Sequence, residues 1–197
     1  MIQILKDPND IYLTSDQHFN HDQDFIWAPR GFKNVHEMNE TEFDGWNNTV
    51  RPESLILCAG DLCLGADADY VRKTVANLNG EIWLFKGNHD TCAKMKLYEE
   101  APNVKRIFDE NQVELDIQGV TFVIGHYPPG YIPEFRGKIY IHGHTHSPEK
   151  FKPYSPWVYN VNVDAHNNKP VLLKTIIEDM KMAGNKDLVE LASKIRF

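Results

Sequence analysis

The sequence predicts an α/β fold, on three features. Short apolar runs near residues 11–15, 54–59 and 81–86 each end in polar residues, segments with helical spacing of apolar side chains separate those runs, and beyond Tyr98 the pattern changes to closely spaced short strands. Alternating strand and helix implies parallel pairing through crossovers, and the later run of strands implies a second, meander-like sheet. A chain of 197 residues has room for one core, so a single domain over 1–197 is expected.

Taken in order, residues 11–15 deliver Asp16, residues 54–59 deliver Gly60-Asp61, and residues 81–86 deliver Gly87-Asn88-His89-Asp90 at their C-terminal edges. Residues 35–50 carry Met38, Phe43 and Trp46, and residues 68–78 carry Val71, Val75 and Leu78, at the spacing of amphipathic helices. Residues 20–51 form the least regular long connection and are expected to wall the site. Strands are expected over 104–108, 112–117 and 120–124, with Gln118-Gly119 as the turn between the last two. Residues 139–141 lead into His142-Gly143-His144-Thr145-His146, and 157–163 read as a further strand. The tail, 171–197, reads as helical with an interruption at Gly184-Asn185.

Composition narrows the function classes. Apolar residues at 42% and charged residues at 25% suit a globular protein, and a net charge of -7 excludes the basic field of a protein that tracks a long nucleic acid. The first ten residues lack the apolar core of a signal peptide and no run of about 20 apolar residues occurs, so no membrane span and a cytoplasmic location are expected. Cys58, Cys63 and Cys92 lack zinc-knuckle or disulfide-framework spacing and read as reduced thiols.

The histidines are more informative, because they cluster with Asp, Asn and Gly at strand ends. In Asp16-Gln17-His18, residues two apart on an extended chain project to one side, which lets a carboxylate and an imidazole grip one cation; a loop cap is the alternative. Gly60-Asp61 taken alone fits an ordinary turn. Gly87-Asn88-His89-Asp90 places a histidine where a turn needs none, Gly125-His126 follows another strand, and Gly143-His144-Thr145-His146 sets two imidazoles two apart. For any one histidine a backbone-satisfied core position is the competing reading. All five motifs, each closing an apolar strand, do not arise together by chance.

In these motifs the sequence resembles the calcineurin-like metallophosphoesterase superfamily, from Asp16 to His146 and more loosely to about Ile176, where Asn162-Val163-Asp164 and Asn167-Asn168-Lys169-Pro170-Val171 look like a small bacterial and phage subgroup. The resemblance implies an α+β-like four-layer sandwich: two mixed β-sheets packed face to face, flanked by helices, with a dinuclear metal site at the C-terminal edges of the strands. It implies Asp16, His18 and His146 on one divalent ion, Asn88, His126 and His144 on the other, and Asp61 bridging both. The mixed oxygen and imidazole donors suit manganese foremost, and iron, zinc or nickel, better than calcium or magnesium. Phosphoester hydrolysis by water activated between the ions follows, on a small phosphorylated or nucleotide substrate, with Asp61, Asn88 and His89 as the catalytic set. A nuclease acting on short oligonucleotides and a noncatalytic scaffold of the same fold are the alternatives.

One departure from the family stands out. Many relatives carry a second acid three residues beyond the Gly-Asp aspartate, and here that residue is Leu64. His89 then lacks its usual carboxylate, which favours a hydrogen-bonding over a proton-donating role unless Asp90 or Asp67 substitutes. Arg30 and His21 are candidate substrate contacts, Arg30 forking onto a phosphate oxygen or standing solvated at the surface. Asp164 and His166 are candidates for orienting ligand imidazoles. The loop Tyr127-Pro128-Pro129-Gly130-Tyr131 either stacks a base or fixes loop shape.

Overall fold

The computed structural model of the chain describes residues 1–65, 67–152 and 154–197. In chain order the elements are β1 (Ile2–Ile4), β2 (Ile11–Thr14), α1 (Asp24–Trp27), α2 (Val35–Thr49), β3 (Leu55–Cys58), α3 (Ala68–Ala76), β4 (Glu81–Phe85), α4 (Cys92–Glu99), β5 (Val104–Phe108), β6 (Val113–Ile117), β7 (Val120–Ile124), β8 (Lys138–His142), β9 (Val158–Asn160), β10 (Val171–Leu172), α5 (Leu173–Met182) and α6 (Lys186–Ala192).

Side-chain alternation along the strands sets the architecture. Leu55 and Leu57 of β3 point into a core shared with the second sheet, whereas Ile56 and Cys58 point the other way, against helices. The first sheet has the order β10-β2-β3-β4-β5 and the second β1-β6-β7-β8-β9, so two mixed five-stranded sheets face each other. Their shared core includes Ile11, Leu13, Trp83 and Phe85 from one side and Leu115, Phe122, Ile124, Ile139 and Ile141 from the other. Trp46 of α2, Val71 and Val75 of α3, and Met95 and Tyr98 of α4 cover the outer face of the first sheet. Helices α5 and α6 bury Leu173, Ile176, Ile177, Leu188 and Leu191 in the inter-sheet core. This is the α/β class expected.

Strands β2 to β5 are parallel, as the strand and helix alternation requires, so their C-terminal ends lie along one edge. Three placements differ from expectation. Residues 104–108 belong to the first sheet, parallel to β4, rather than to the second. The meander is limited to the β6–β7 hairpin, whose Gln118-Gly119 turn has positive φ at both residues (52° and 80°), while β7, β8 and β9 run parallel. Val171 and Leu172 pair antiparallel with Leu13 and Tyr12 before the helix begins, because they complete the free edge of β2. The expected break at Gly184-Asn185 is present: Gly184 has φ 75° and Asn185 caps α6 by accepting from the Leu188 N–H. Within residues 20–51 the structure has α1 and α2, the latter capped by Asn34. No helix among the described residues is long and apolar enough to cross a membrane.

Candidate metal centre

The loops that follow β2, β3, β4, β7 and β8 meet at one edge of the sandwich. Asp16 N–H donates to Gly60 O at 3.0 Å and His18 N–H to Asp61 O at 3.1 Å, which ties the first two loops together. Gly143 N–H donates to His126 O at 3.0 Å, which ties the last two. The structure thereby brings Asp16, His18, Asp61, Asn88, His126, His144 and His146 into one cluster.

The backbone there is strained. Asp16, His18, Asp61, His144 and His146 all have positive φ, between 47° and 68°. For a residue with a Cβ that conformation costs roughly 1–2 kcal/mol, so the fold spends stability to aim these five side chains, as functional sites do. Close approach adds a second constraint: a Cβ on Gly87 would collide with the Asp61 carboxylate, and one on Gly143 with Ser15 Oγ and the Asp16 carboxylate. The glycines preceding Asn88 and His144 are fixed by that crowding.

Each carboxylate is held by one oxygen. His144 N–H donates to Asp16 Oδ2 at 2.9 Å and His89 N–H to Asp61 Oδ1 at 2.8 Å. Among the described residues Asp16 Oδ1 is left buried without a hydrogen-bond partner and faces His18 Nε2, likewise buried and unpartnered, at 3.8 Å. Asp61 Oδ2 reaches to both sides, 3.8 Å from His18 Nε2 and 3.3 Å from His126 Nε2. The imidazoles are oriented by the same logic. His126 Nδ1 must donate to Ala59 O at 2.9 Å, because a carbonyl only accepts, and this leaves the Nε2 lone pair for the site. His146 Nδ1 lies 3.0 Å from Asp164 Oδ2, which turns its Nε2 toward Asp16 Oδ1 at 3.9 Å.

On the far side Asn88 Oδ1 lies 2.8 Å from His126 Nε2 and 2.9 Å from His144 Nδ1. Oxygen and nitrogen acceptors crowded this closely repel one another unless a proton or cation lies between them. Spacings near 3 Å are those of neighbouring ligands around an ion with bonds of about 2.1 Å. Two sets of donor atoms thus fit divalent ions: Asp16, His18 and His146 form one compact group, and Asp16, Asp61 and His126 form another. Electrostatics agree. Burial opposes charge on His126, yet its hydrogen bond to Asp61 and the fields of Asp16 and Asp61 raise its pKa above the ordinary value, so the pocket favours a positive charge there.

His89 is exposed and its ring lies 5.4 Å from that of His18. Neither candidate acid serves it. Asp90 is turned inward, where Oδ2 accepts from Gly87 and Asp61 N–H at 2.9 and 2.7 Å and Oδ1 from Tyr98 Oη at 3.0 Å. Asp67 caps α3 by accepting from Asp69 and Tyr70 N–H. His21 does stand at the site, its ring stacked 5.2 Å from His18 and 6.1 Å from His89, with Phe25 edge-on at 5.7 Å. Burial and the neighbouring His18 push its pKa down to about 4. Tyr127 packs its ring 4.5 Å from His144 and 5.2 Å from His126.

Arg30 is the correction. It is neither solvated nor open to a phosphate: its side chain is 1% exposed and bonds Asp164, Glu42 and the carbonyls of Asp16 and Gln17. Asp164 does contact His146, whereas His166 bonds Asn160 O at 2.9 Å and touches no ligand. Burial opposes the Asp164 charge, but its bonds with His146 and Arg30 bring its pKa down to about 2. Glu42 and Tyr98 went unrecognised in the sequence, and Asp90, read there as a stand-in acid for His89, instead holds the Asn88 loop from inside. Glu42 had a visible signal, since it shares the buried stripe of α2 with Val35, Met38 and Trp46, where a carboxylate needs a partner. The pairing of Asp90 with Tyr98 had none, because it depends on how α4 returns beneath the Asn88 loop.

Two facing mixed sheets with an aspartate and histidine cluster across their strand ends define the class of fold. Residues 10–162 match the family model of the calcineurin-like phosphoesterase superfamily domain, and the chain belongs to that superfamily. It is similar to Uncharacterized protein MJ1445 of Methanocaldococcus jannaschii, at 36% identity over 176 residues, which cover 85% of this chain and 89% of that one. Among solved structures it is similar in fold to the protein of unknown function AQ665 from Aquifex aeolicus, with a TM-score of 0.65 and 20% identity over 85% of this chain and 97% of that one. A novel archaeal phosphodiesterase matches with a TM-score of 0.45 and 22% identity, over 77% of this chain and 81% of that one.

Proposed function

We propose that the chain is a dinuclear metallophosphoesterase acting on a small phosphoester, with Asp16, His18 and His146 at one divalent ion, Asn88, His126 and His144 at the other, and Asp61 between them. The observation that carries the reading is the pair of half-satisfied carboxylates: Asp16 and Asp61 each have one oxygen locked by a backbone N–H, and the other oxygen of each faces imidazole nitrogens at 3.3–3.9 Å. When bound, the ions supply an activated water and a positive field for the phosphate oxygens.

The chain's own residues do the rest. Asp61 and Asp16 offset the cationic charge from fixed positions, and the Ala59 and Asp164 oxygens hold His126 and His146 in the tautomer that presents Nε2. His89 stands exposed beside this cluster, where it donates a hydrogen bond to a phosphate or leaving-group oxygen. With Arg30 enclosed and a net charge of -7, the centre lacks the cationic track of a long nucleic acid, which supports a small substrate. Manganese is the expected ion, by the donor set.

Purified protein assayed with manganese should turn over bis-p-nitrophenyl phosphate or p-nitrophenyl phosphate and lose that activity with chelator. Bound metal without turnover of either ester would favour a noncatalytic scaffold instead.

A further inference from the structure

The guanidinium of Arg30 has five N–H groups, and the structure gives them five oxygen acceptors. Nε donates to Asp164 Oδ1 at 3.0 Å. Nη2 donates to Asp164 Oδ2 at 3.1 Å and to Asp16 O at 2.8 Å, and Nη1 donates to Gln17 O at 3.0 Å and Glu42 Oε1 at 2.9 Å. A buried cation saturated in this way has no donor left for substrate. Its acceptors are instead parts of the metal cluster's support.

Two of them are carbonyls of the Asp16-Gln17-His18 turn, whose Asp16 and His18 have φ of 59° and 53°. Arg30 therefore adds two bonds to a strained turn that is also held by its backbone bonds to Gly60 and Asp61. A third partner, Asp164, passes the effect on, because the Oδ2 that accepts from Arg30 also lies 3.0 Å from His146 Nδ1. Glu42, fully enclosed, accepts from the guanidinium through Oε1, while burial pushes its pKa up to about 8. None of these bonds reaches Asn88, His126 or His144 directly: Asn88 and His126 are oriented by one another, by His144 and by Ala59, and only the backbone N–H of His144 touches the Asp16 carboxylate.

We propose that Arg30 and Asp164 are positioning residues for one ion alone, the one assigned to Asp16, His18 and His146, so that the two ions differ in how tightly they are kept. The inference rests on the two-metal reading above. Lysine cannot replace Arg30, since an ammonium has three donors and no fork to span Asp164 while reaching both carbonyls. Loss of a partner that orients a ligand histidine weakens metal affinity by about 10–100-fold.

The test measures manganese per chain and manganese affinity by calorimetric titration for the wild type, Arg30→Lys and Asp164→Asn, with thermal denaturation as a check on folding. Wild type should bind two ions. Both variants should lose about 10–100-fold in affinity for one ion only, and anomalous scattering should show the retained ion beside Asn88, His126 and His144. Two sites of unchanged affinity, or equal weakening of both, would overturn the inference while leaving the two-metal reading intact. Fewer than two ions in the wild type would overturn that reading itself. Should Arg30→Lys fail to fold, Asp164→Asn decides alone, since it keeps the shape of the Asp164 side chain and removes its charge.

Discussion

His89 N–H donates to Asp61 Oδ1 at 2.8 Å, so the loop that carries Asn88 fixes the carboxylate that stands between the two halves of the centre. Asp61→Asn should keep that bond, since an amide oxygen also accepts, while removing the charge shared with His18 and His126. Metal-assisted catalysis is worth several kcal/mol. Turnover of an aryl phosphodiester should therefore fall at least about 100-fold, and the denaturation midpoint of the metal-free protein should fall slightly, because, although burial opposes the Asp61 charge, its hydrogen bond and attraction to His126 hold its pKa below the ordinary carboxylate value. Retained activity would remove Asp61 from the bridging role.

The exposed His89 has no carboxylate partner among the described residues, Asp90 and Asp67 being engaged elsewhere. A hydrogen-bond donor helps aryl and alkyl leaving groups alike, whereas a proton donor matters most for poor ones. His89→Ala should lower kcat/KM by about 100-fold, the low end for a positioned acid-base group. The loss should be the same for p-nitrophenyl and alkyl esters, measured side by side; a loss many times larger for alkyl esters would make His89 an acid.

Gly87→Ala tests the crowding at the centre. Its Cβ would meet the Asp61 carboxylate and backbone, neither of which is free to move. Overpacking of this kind costs about 1–3 kcal/mol, readable as a lower urea midpoint, and manganese affinity should fall with it. Gly130→Ala, where a Cβ meets nothing within 4 Å, should leave both unchanged.

Acid should destabilise the metal-free protein through histidines outside the ligand set. Burial lowers the pKa of His166 and of His142, each of which keeps a backbone carbonyl partner. On unfolding they regain a value near 6.5, so below that pH the unfolded chain binds more protons. Their contribution is complete above about pH 6.5 and is lost as pH falls toward the lowered folded values. Thermal midpoints measured from pH 8 to pH 5 in chelator should decline below about 6.5, and His166→Gln should flatten the decline.

What could be read from the sequence follows from the range of the interactions. Strands ending at Asp16, Asp61 and Asn88 were legible because a continuous apolar run and a polar stop lie next to each other in the chain. The partner of residues 104–108 was not, because Val104, Ile107 and Phe108 suit either sheet and only the parallel register with β4 decides. Helix α4 escaped notice since its buried positions are few, Met95 and Tyr98. Arg30 was placed at the surface or against substrate because an arginine is seldom enclosed, and its partners Glu42 and Asp164 lie 12 and 134 residues away.

Anomalous diffraction from crystals grown with manganese decides whether these seven side chains hold two ions. Two peaks are expected about 3.5–4 Å apart, one bounded by Asp16, His18 and His146, the other by Asn88, His126 and His144, with Asp61 touching both. A single peak, or two that do not share Asp61, would contradict a bridged two-metal centre.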